Sequence, residues 1–286
     1  MKPRTVRRIL VALDASPQSD VALEEAASLA ARLEAELTGI FVVDSELMRL
    51  SALPVAHETG LTSARRRPIS PESMARALRL QADRTRVALE KTARQHSLQS
   101  SFRLSKGNVV AELLNAAGQA DLLTMGIMGH MDITGRRLGS TARGVRAGLS
   151  CSLLLLANSL RRGRSVVVVY SGSPDSIKAL KLAVELGEHL NAELIVLLCA
   201  EGEALKPLRA AAEERLADAG IPFVFEHVAA DRFDELRLLI QRHEGSLLVI
   251  GQDCELVTDH EDELDNLACP VLLARDGQDE VEPGGG

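Results

Sequence analysis

Ile9-Leu-Val-Ala-Leu-Asp14-Ala-Ser16-Pro17 opens a stretch, residues 9–43, that lies without a gap on residues 166–200, which begin Val166-Val-Val-Val-Tyr-Ser171-Gly-Ser173-Pro174, at an offset of 157 residues. The identical pairs include Val11/Val168, Ser16/Ser173, Pro17/Pro174, Ser19/Ser176, Ala22/Ala179, Leu23/Leu180 and Ala26/Ala183. They continue through Leu29/Leu186, Leu33/Leu190, Ala35/Ala192, Glu36/Glu193 and Leu37/Leu194. Positions 22, 26, 29 and 33 recur at helical spacing, so what the two stretches share is a core-facing stripe. A tandem duplication is the expectation.

Each copy reads as strand, helix, strand. Ile9–Leu13 and Val166–Tyr170 are short apolar runs, suited to strands buried on both faces. The Ser-Pro pair after each supplies an N-cap and a first-turn proline. Second strands are expected at Glu36–Val43 and Glu193–Cys199, and third strands at Phe102–Leu104 and Phe223–His227. Helices follow at Val109–Ala117 and Phe233–Arg242, fourth strands at Leu122–Met125 and Leu247–Ile250, and fifth strands at Ser152–Leu156 and Pro270–Leu273. Alternation of this kind implies right-handed βαβ units, hence an α/β protein with two tandem open five-stranded parallel sheets and flanking helices, packed together through their fifth strands. The expected domains are 1–158 and 164–276, joined by a polar linker around Arg161-Arg-Gly-Arg164 and followed by a disordered acidic, glycine-rich tail at 277–286.

The copies differ in length at two places. From second to fourth strand the first takes 79 residues (Val43 to Leu122) and the second 47 (Ala200 to Leu247), which puts an insert at about 44–75. From fourth to fifth strand the difference reverses, with 25 residues from Gly126 to Cys151 against 18 from Gly251 to Cys269. The first copy is thus longer where an open parallel sheet binds its ligand.

That longer segment reads Gly126-Ile-Met-Gly129-His130-Met-Asp-Ile-Thr-Gly-Arg136-Arg137-Leu-Gly139-Ser140-Thr141. Gly126 and Gly129 follow the fourth strand, where glycine permits positive φ and close approach to a ligand. Gly139-Ser140-Thr141 leads into a helix expected at Ala142–Leu149, whose open amides and dipole favour phosphate. With strands one and four adjacent, Asp14 and Gly126 flank the switch point of the sheet.

On these residues the chain resembles the universal stress protein family, whose nucleotide-binding members carry G-x2-G-x9-G-[S/T]. Gly126, Gly129, Gly139 and Ser140 match that spacing, and Ile9–Ser16 and Ala120–Gly126 match its strands. The resemblance covers residues 6–158 and, more weakly, 164–275. It implies an adenine nucleotide α-hydrolase-like (Rossmann-like) fold of strand order 3-2-1-4-5, and ATP, or AMP or ADP, as ligand, together with Mg2+. Ala12, Leu13, Asp14 and backbone near Val42 would hold adenine and ribose. Met125 to Gly129 would touch ribose and the first phosphates, and Gly139, Ser140 and Thr141 the outer ones. His130 is open to two readings, a phosphate contact or an exposed loop residue; so are Arg136 and Arg137, as a phosphate screen or a solvated surface.

The second copy departs from the pattern. Ser171 stands at the position of Asp14, and the loop after Gly251 carries Asp253, Glu255, Asp259, Glu261, Asp262, Glu263 and Asp265, which would repel phosphate. Only the first copy is expected to bind nucleotide.

Composition narrows the partners. Net charge is −7, and aromatics are 2% with one Tyr and no Trp, against nucleic acid and anionic membranes. No apolar run approaches membrane length and no export signal is present, so a cytoplasmic protein is expected. Four scattered cysteines without a C-x-x-C pair read as free buried thiols. No general base stands beside a nucleophile, so no catalytic residue is assigned and the metal ligands are unknown. The expected partners are an adenine nucleotide, an unidentified protein and the other half of the chain as an intramolecular pseudo-dimer, with a homodimer also open. Two other readings stay open: a nucleotide-free scaffold docking a partner through 44–75, and a slow ATP-hydrolysing or phosphate-transferring enzyme.

Overall fold

The computed structural model describes residues 5–53, 57–59, 66–68, 70–127, 139–156, 158–162, 164–229, 231–264, 267 and 269–276. The tail expected at 277–286 lies outside them. The front half contains β1 (Arg8–Leu13), α1 (Pro17–Leu33), β2 (Glu36–Asp44), α2 (Ser45–Ser51), β3 (His57–Thr59), β4 (Arg66–Pro68) and α3 (Pro71–Gln95). It continues with β5 (Ser100–Gly107), α4 (Val109–Ala117), β6 (Leu122–Gly126), α5 (Ser140–Gly148) and β7 (Ser152–Leu156). The rear half contains β8 (Val166–Tyr170), α6 (Pro174–Leu190), β9 (Leu194–Cys199), α7 (Leu205–Leu216) and β10 (Phe223–Val228). Then come α8 (Phe233–Arg242), β11 (Leu247–Gly251), α9 (Glu255–Thr258), α10 (Glu261–Leu264) and β12 (Val271–Ala274).

Local chemistry builds the two halves alike. The side chains of Ser16 and Ser173 accept hydrogen bonds from the amides of Ser19 and Ser176, each followed by a proline in the first turn. Both first helices end in a left-handed residue, Glu34 (φ 50°) and Asn191 (φ 51°), and both are entered through one, Ala15 (φ 62°) and Gly172 (φ 84°). These pairs keep the 157-residue offset of the sequence match.

The sheet order is β10-β9-β8-β11-β12-β7-β6-β1-β2-β5, with β3 and β4 forming a separate hairpin. Each half therefore has the expected order 3-2-1-4-5. The two five-stranded sheets are fused edge to edge into one ten-stranded sheet, rather than merely packed against each other. Every neighbouring pair in it is parallel except β12 with β7. The reason is hydrogen bonding: β7 and β12 are buried throughout, so their outer N–H and C=O groups need partners, and each supplies the other's. Leu154 pairs with Leu272, its counterpart in the other half, while Leu153 meets Leu273 and Leu155 meets Val271. The seam thus has an approximate two-fold axis at Leu154–Leu272.

Strand alternation sorts the core into two faces. Ile9, Val11, Leu13, Leu37 and Leu122 pack with α1 residues such as Ala22, Ala26 and Leu29. Leu10, Ile40, Leu123 and Met125 pack with Leu113 of α4 and with Ala142 and Val145 of α5. Burial on both faces explains the unbroken apolar runs; each buried Val or Leu contributes about 1.5–3 kcal/mol. Thr124 is the exception, fully buried in β6 with a hydroxyl that has no hydrogen-bond partner. The matching residue of β11 is Val249. Thr124→Val should therefore stabilise the protein by about 1 kcal/mol, read as a higher urea midpoint at constant m.

Side chains lock the seam. Gln252 Nε2 donates to the Arg146 carbonyl (2.8 Å), and the Arg275 guanidinium donates to the Leu149 carbonyl (2.6 Å), so the rear half caps the C-terminus of α5. Truncation as Arg275→Met should cost about 1.5–3 kcal/mol in urea unfolding, the range for a charged donor to a carbonyl. Over the seam, the Ser28 hydroxyl of α1 lies 3.3 Å from His189 Nε2 of α6. Burial, with Arg162 and Arg32 nearby, lowers the His189 pKa from 6.5 to about 4. Above pH 6.5 both folded and unfolded chains are neutral there and stability is unaffected; between 6.5 and about 4 only the unfolded chain takes the proton. The contribution of His189 should fall through that window and level off below it, and His189→Gln should remove this part of the pH dependence of urea midpoints measured across it.

Candidate functional site

Of the sequence-predicted residues, Ala12, Leu13, Asp14, Met125 and Gly126 lie at the C-terminal ends of β1 and β6, which are adjacent through Ile9↔Leu122, Leu10↔Leu123 and Val11↔Thr124. The chain leaves β1 toward β2 on one side and β6 toward β7 on the other, so the cleft between them is the switch point of the front half. Ala12 and Val42 are half-buried and pack, with buried Met125, on the face that carries α5. Leu13 points the other way, buried beneath α1, and offers the cleft only its backbone.

Asp14 follows β1 and is half-buried. Its carboxylate accepts the Ser16 amide at 2.9 Å, closing an Asx turn around the left-handed Ala15. One of its jobs is thus to shape the strand-to-helix corner. In the rear half, Gly172 takes the left-handed position without strain, and Ser171 donates to Ser173 Oγ (3.2 Å) instead.

Gly126 needs correction. It ends β6 instead of following it, and it is not at positive φ. A Cβ there would lie 2.7 Å from Gln18 Cβ and 3.1 Å from the Gln18 carbonyl carbon, in the first turn of α1. The residue is small because a helix start rests on it. Gly251 repeats this, with a Cβ position 2.9 Å from the Ser176 amide nitrogen.

Past Gly126, the Ile127 amide donates to the Leu156 carbonyl (3.0 Å), extending the sheet, and the Gly139 amide donates back to the Ile127 carbonyl (2.8 Å). This bond ties the two ends of the glycine segment together at its neck. Gly129, His130, Arg136 and Arg137 lie outside the described residues. Gly139, extended at φ −65° and ψ 153°, is the N-cap of α5, which starts two residues earlier than expected. That N-terminus has no side-chain cap and no acidic residue in its first turn. Ser140 is exposed and Thr141 half-buried. Arg143, missed by the sequence reading, sits in the same turn; its spacing of three from Ser140 was the available signal.

The α5 axis is held from behind by α4. Gly144 and Gly148 have Cβ positions 2.9 Å from Val110 Cγ2 and 2.8 Å from Leu114 Cδ1, so the helices approach closely at these two glycines. The arrangement offers uncapped amides, a helix dipole and a hydroxyl beside the ends of β6 and β1, where Ala12, Asp14, Val42 and Met125 lie. A phosphate at one end and a flat apolar group at the other fit this donor set, since no carboxylate opposes the phosphate on the first turn.

The rear cleft is built differently. After β11, Cys254, Leu256, Val257, Leu264 and Leu267 are buried in the core on this face. Asp253 accepts the Ser173 hydroxyl at 3.0 Å. Burial, and Asp253 close by, raise the Asp175 pKa, although its carboxylate also accepts the Asp276 amide (2.7 Å). The loop therefore turns apolar side chains inward and holds a carboxylate against the start of α6, the counterpart of α1.

Among the described residues, no group of three His, Cys, Asp or Glu side chains is arranged to hold a metal ion, and no helix is long and apolar enough to cross a membrane. Residues 5–157 match the model of the universal stress protein family. A universal stress protein from Archaeoglobus fulgidus superposes with a TM-score of 0.73 at 17% identity, over 97% of this chain and 98% of that one. A functionally unknown protein from Pseudomonas aeruginosa gives 0.61 at 15% identity, over 96% and 94%. At such identities the likeness is one of fold. No curated protein sequence matches the chain significantly.

Proposed function

The chain belongs to the universal stress protein family, and from that membership we propose that its front half binds an adenine nucleotide and serves stress response or signalling through a nucleotide-dependent change of shape or partner. The ligand is ATP with Mg2+, or ADP or AMP in its place. The observation that carries the reading is the N-terminus of α5, uncapped and without acid in its first turn, set beside the ends of β1 and β6. Ala12, Asp14, Val42 and Met125 would line the base and ribose end, and Gly139, Ser140 and Thr141 the phosphate end. Gly126 and Gly129 complete the family pattern, and His130 would reach a phosphate. Mg2+ would offset phosphate charge, with phosphate oxygens and water as its main ligands.

In this proposal residues 1–158 and 164–276 are two copies of one unit, the second degenerate, that form an intramolecular pseudo-dimer across β7 and β12. The rear loop would exclude phosphate, so one nucleotide binds per chain. Isothermal titration with ATP and Mg2+ tests this: a stoichiometry near one supports it, and no heat of binding, with no nucleotide in a perchloric acid extract, ends it. A scaffold reading has one observation in its favour. Leu50 and Leu53, at the end of α2 in the insert, are 55% and 50% exposed, and Leu80 of neighbouring α3 is 53% exposed. That reading gains if extracted protein carries no adenine and titration is silent.

A further inference from the structure

The rear half brings together two thiols that nucleotide binding does not use. Cys199 ends β9 at the position matching Val42, and Cys254 stands just past β11 as the N-cap of α9. Between β9 and β11 in the sheet lies β8, which stops at Tyr170. Both side chains lie beyond that strand end against one apolar cluster, and the two thiols are close enough to act on one another. Cys254 is 6% exposed, whereas Cys199 is only half-buried and packs at the margin of the same apolar cluster. The thiols are far apart in sequence, and tertiary folding alone makes them neighbours.

We propose that Cys199 and Cys254 are a redox modification site, a dithiol that closes to a disulfide across the rear cleft when it meets a peroxide, with Cys199 reacting first and Cys254 resolving. The division of roles follows from access and charge. A reactive sulfur must be reachable and ionised, and its resolving partner must already touch it. The hydrogen bond donated by Cys254 lowers the Cys199 pKa, and the same bond, with burial, raises that of Cys254.

In the first step the Cys199 thiolate attacks one peroxide oxygen; the O–O bond breaks, Cys199 becomes a sulfenic acid and hydroxide leaves. In the second, Cys254 gives up its proton and attacks the Cys199 sulfur; the S–S bond forms, the S–O bond breaks, and the departing hydroxide takes the proton as water. Two thiols and one peroxide thus give one disulfide and two waters. A thiol reductant reverses the change by exchange. The bridge ties the end of β9 to the start of α9, at the position that Val42 holds in the front half.

Cys151 and Cys269 serve as internal controls, since burial pushes each of their pKa values up to about 11. The test is hydrogen peroxide at about one equivalent on the native full-length protein, followed by alkylation, digestion and peptide mapping. The expected result is a Cys199–Cys254 cross-link, reversed by dithiothreitol, with Cys151 and Cys269 alkylated only after denaturation. Cys254→Ser should leave Cys199 as a sulfenic acid that dimedone traps, and Cys199→Ser should leave Cys254 reduced. The proposal is overturned if the wild type accumulates Cys199 sulfenic or sulfinic acid while Cys254 stays a thiol. It is equally overturned if neither residue reacts at a dose that oxidises glutathione, or if Cys199 links only between chains. No nucleotide enters the experiment, so its outcome is separate from that of the ATP titration.

Discussion

Gly126→Ala is expected to cost about 2–3 kcal/mol of stability and to weaken nucleotide binding, whereas Gly251→Ala should cost as much and leave binding alone. The added methyl at 126 would sit 2.7 Å from Gln18 Cβ and 3.1 Å from the Gln18 carbonyl carbon. At 251 it would sit 2.9 Å from the Ser176 amide nitrogen and 3.1 Å from the Asp175 carbonyl carbon. Backbone cannot swing aside as a side-chain end can, so in each case the first helix of that half must lift from the sheet. Overpacking of this kind costs about 1–3 kcal/mol, and more where backbone must move. Lifting α1 also displaces the corner at Asp14–Ser16, beside which the proposed nucleotide would sit; lifting α6 disturbs only the rear half. Urea unfolding and ATP titration of both variants provide the check. Equal loss of ATP affinity in the two would mean that the front cleft is not where nucleotide binds. A cost below about 0.5 kcal/mol would mean that the helix starts rest less tightly on the glycines than described.

Ser140→Asp carries the second large effect. The residue is exposed at the first position of α5, so the substitution leaves packing untouched. A carboxylate there suits the helix dipole and should raise stability by about 0.3–1 kcal/mol. Toward a phosphate within about 4–5 Å it acts oppositely: at an effective dielectric of about 20, two unit charges repel by roughly 3–4 kcal/mol, which water at this exposed site reduces. ATP affinity should fall about 100-fold while adenosine, lacking phosphate, binds as before. Opposite signs in stability and affinity separate charge from misfolding. Unchanged ATP affinity would place the phosphates elsewhere.

Part of the site was legible because its signals are local. Ser16-Pro17 and Ser173-Pro174 announce helix starts, and the helices at Val109–Ala117 and Phe233–Arg242 coincide with their expected bounds. The G-x2-G-x9-G-[S/T] spacing located the uncapped start of α5, though two residues late. What was misread depends on space. Gly126 looked like a residue freed for positive φ, yet it is small because Gln18, more than one hundred positions earlier, presses on it. Leu13 was grouped with the ligand, and strand alternation, which turns its side chain beneath α1, leaves only its backbone for that role. The helices α3 and α7 were not delineated; α3 is largely solvent-facing, and its few buried positions, such as Leu78, Ala82, Leu89 and Ala93, leave only a thin apolar stripe.

By itself the sequence determined a repeated βαβ pattern and its caps, and raised the expectation of a phosphate-binding loop in one half, since each of these is written in neighbouring residues. The tertiary structure alone decided that β7 and β12 pair antiparallel to make one sheet, that Gln252 and Arg275 cap a helix of the other half, and that Cys199 meets Cys254. Those features are contacts between segments far apart along the chain. Periodicity and capping report a backbone's nearest neighbours; which distant surfaces then touch is settled only when edges seek hydrogen bonds and faces seek burial.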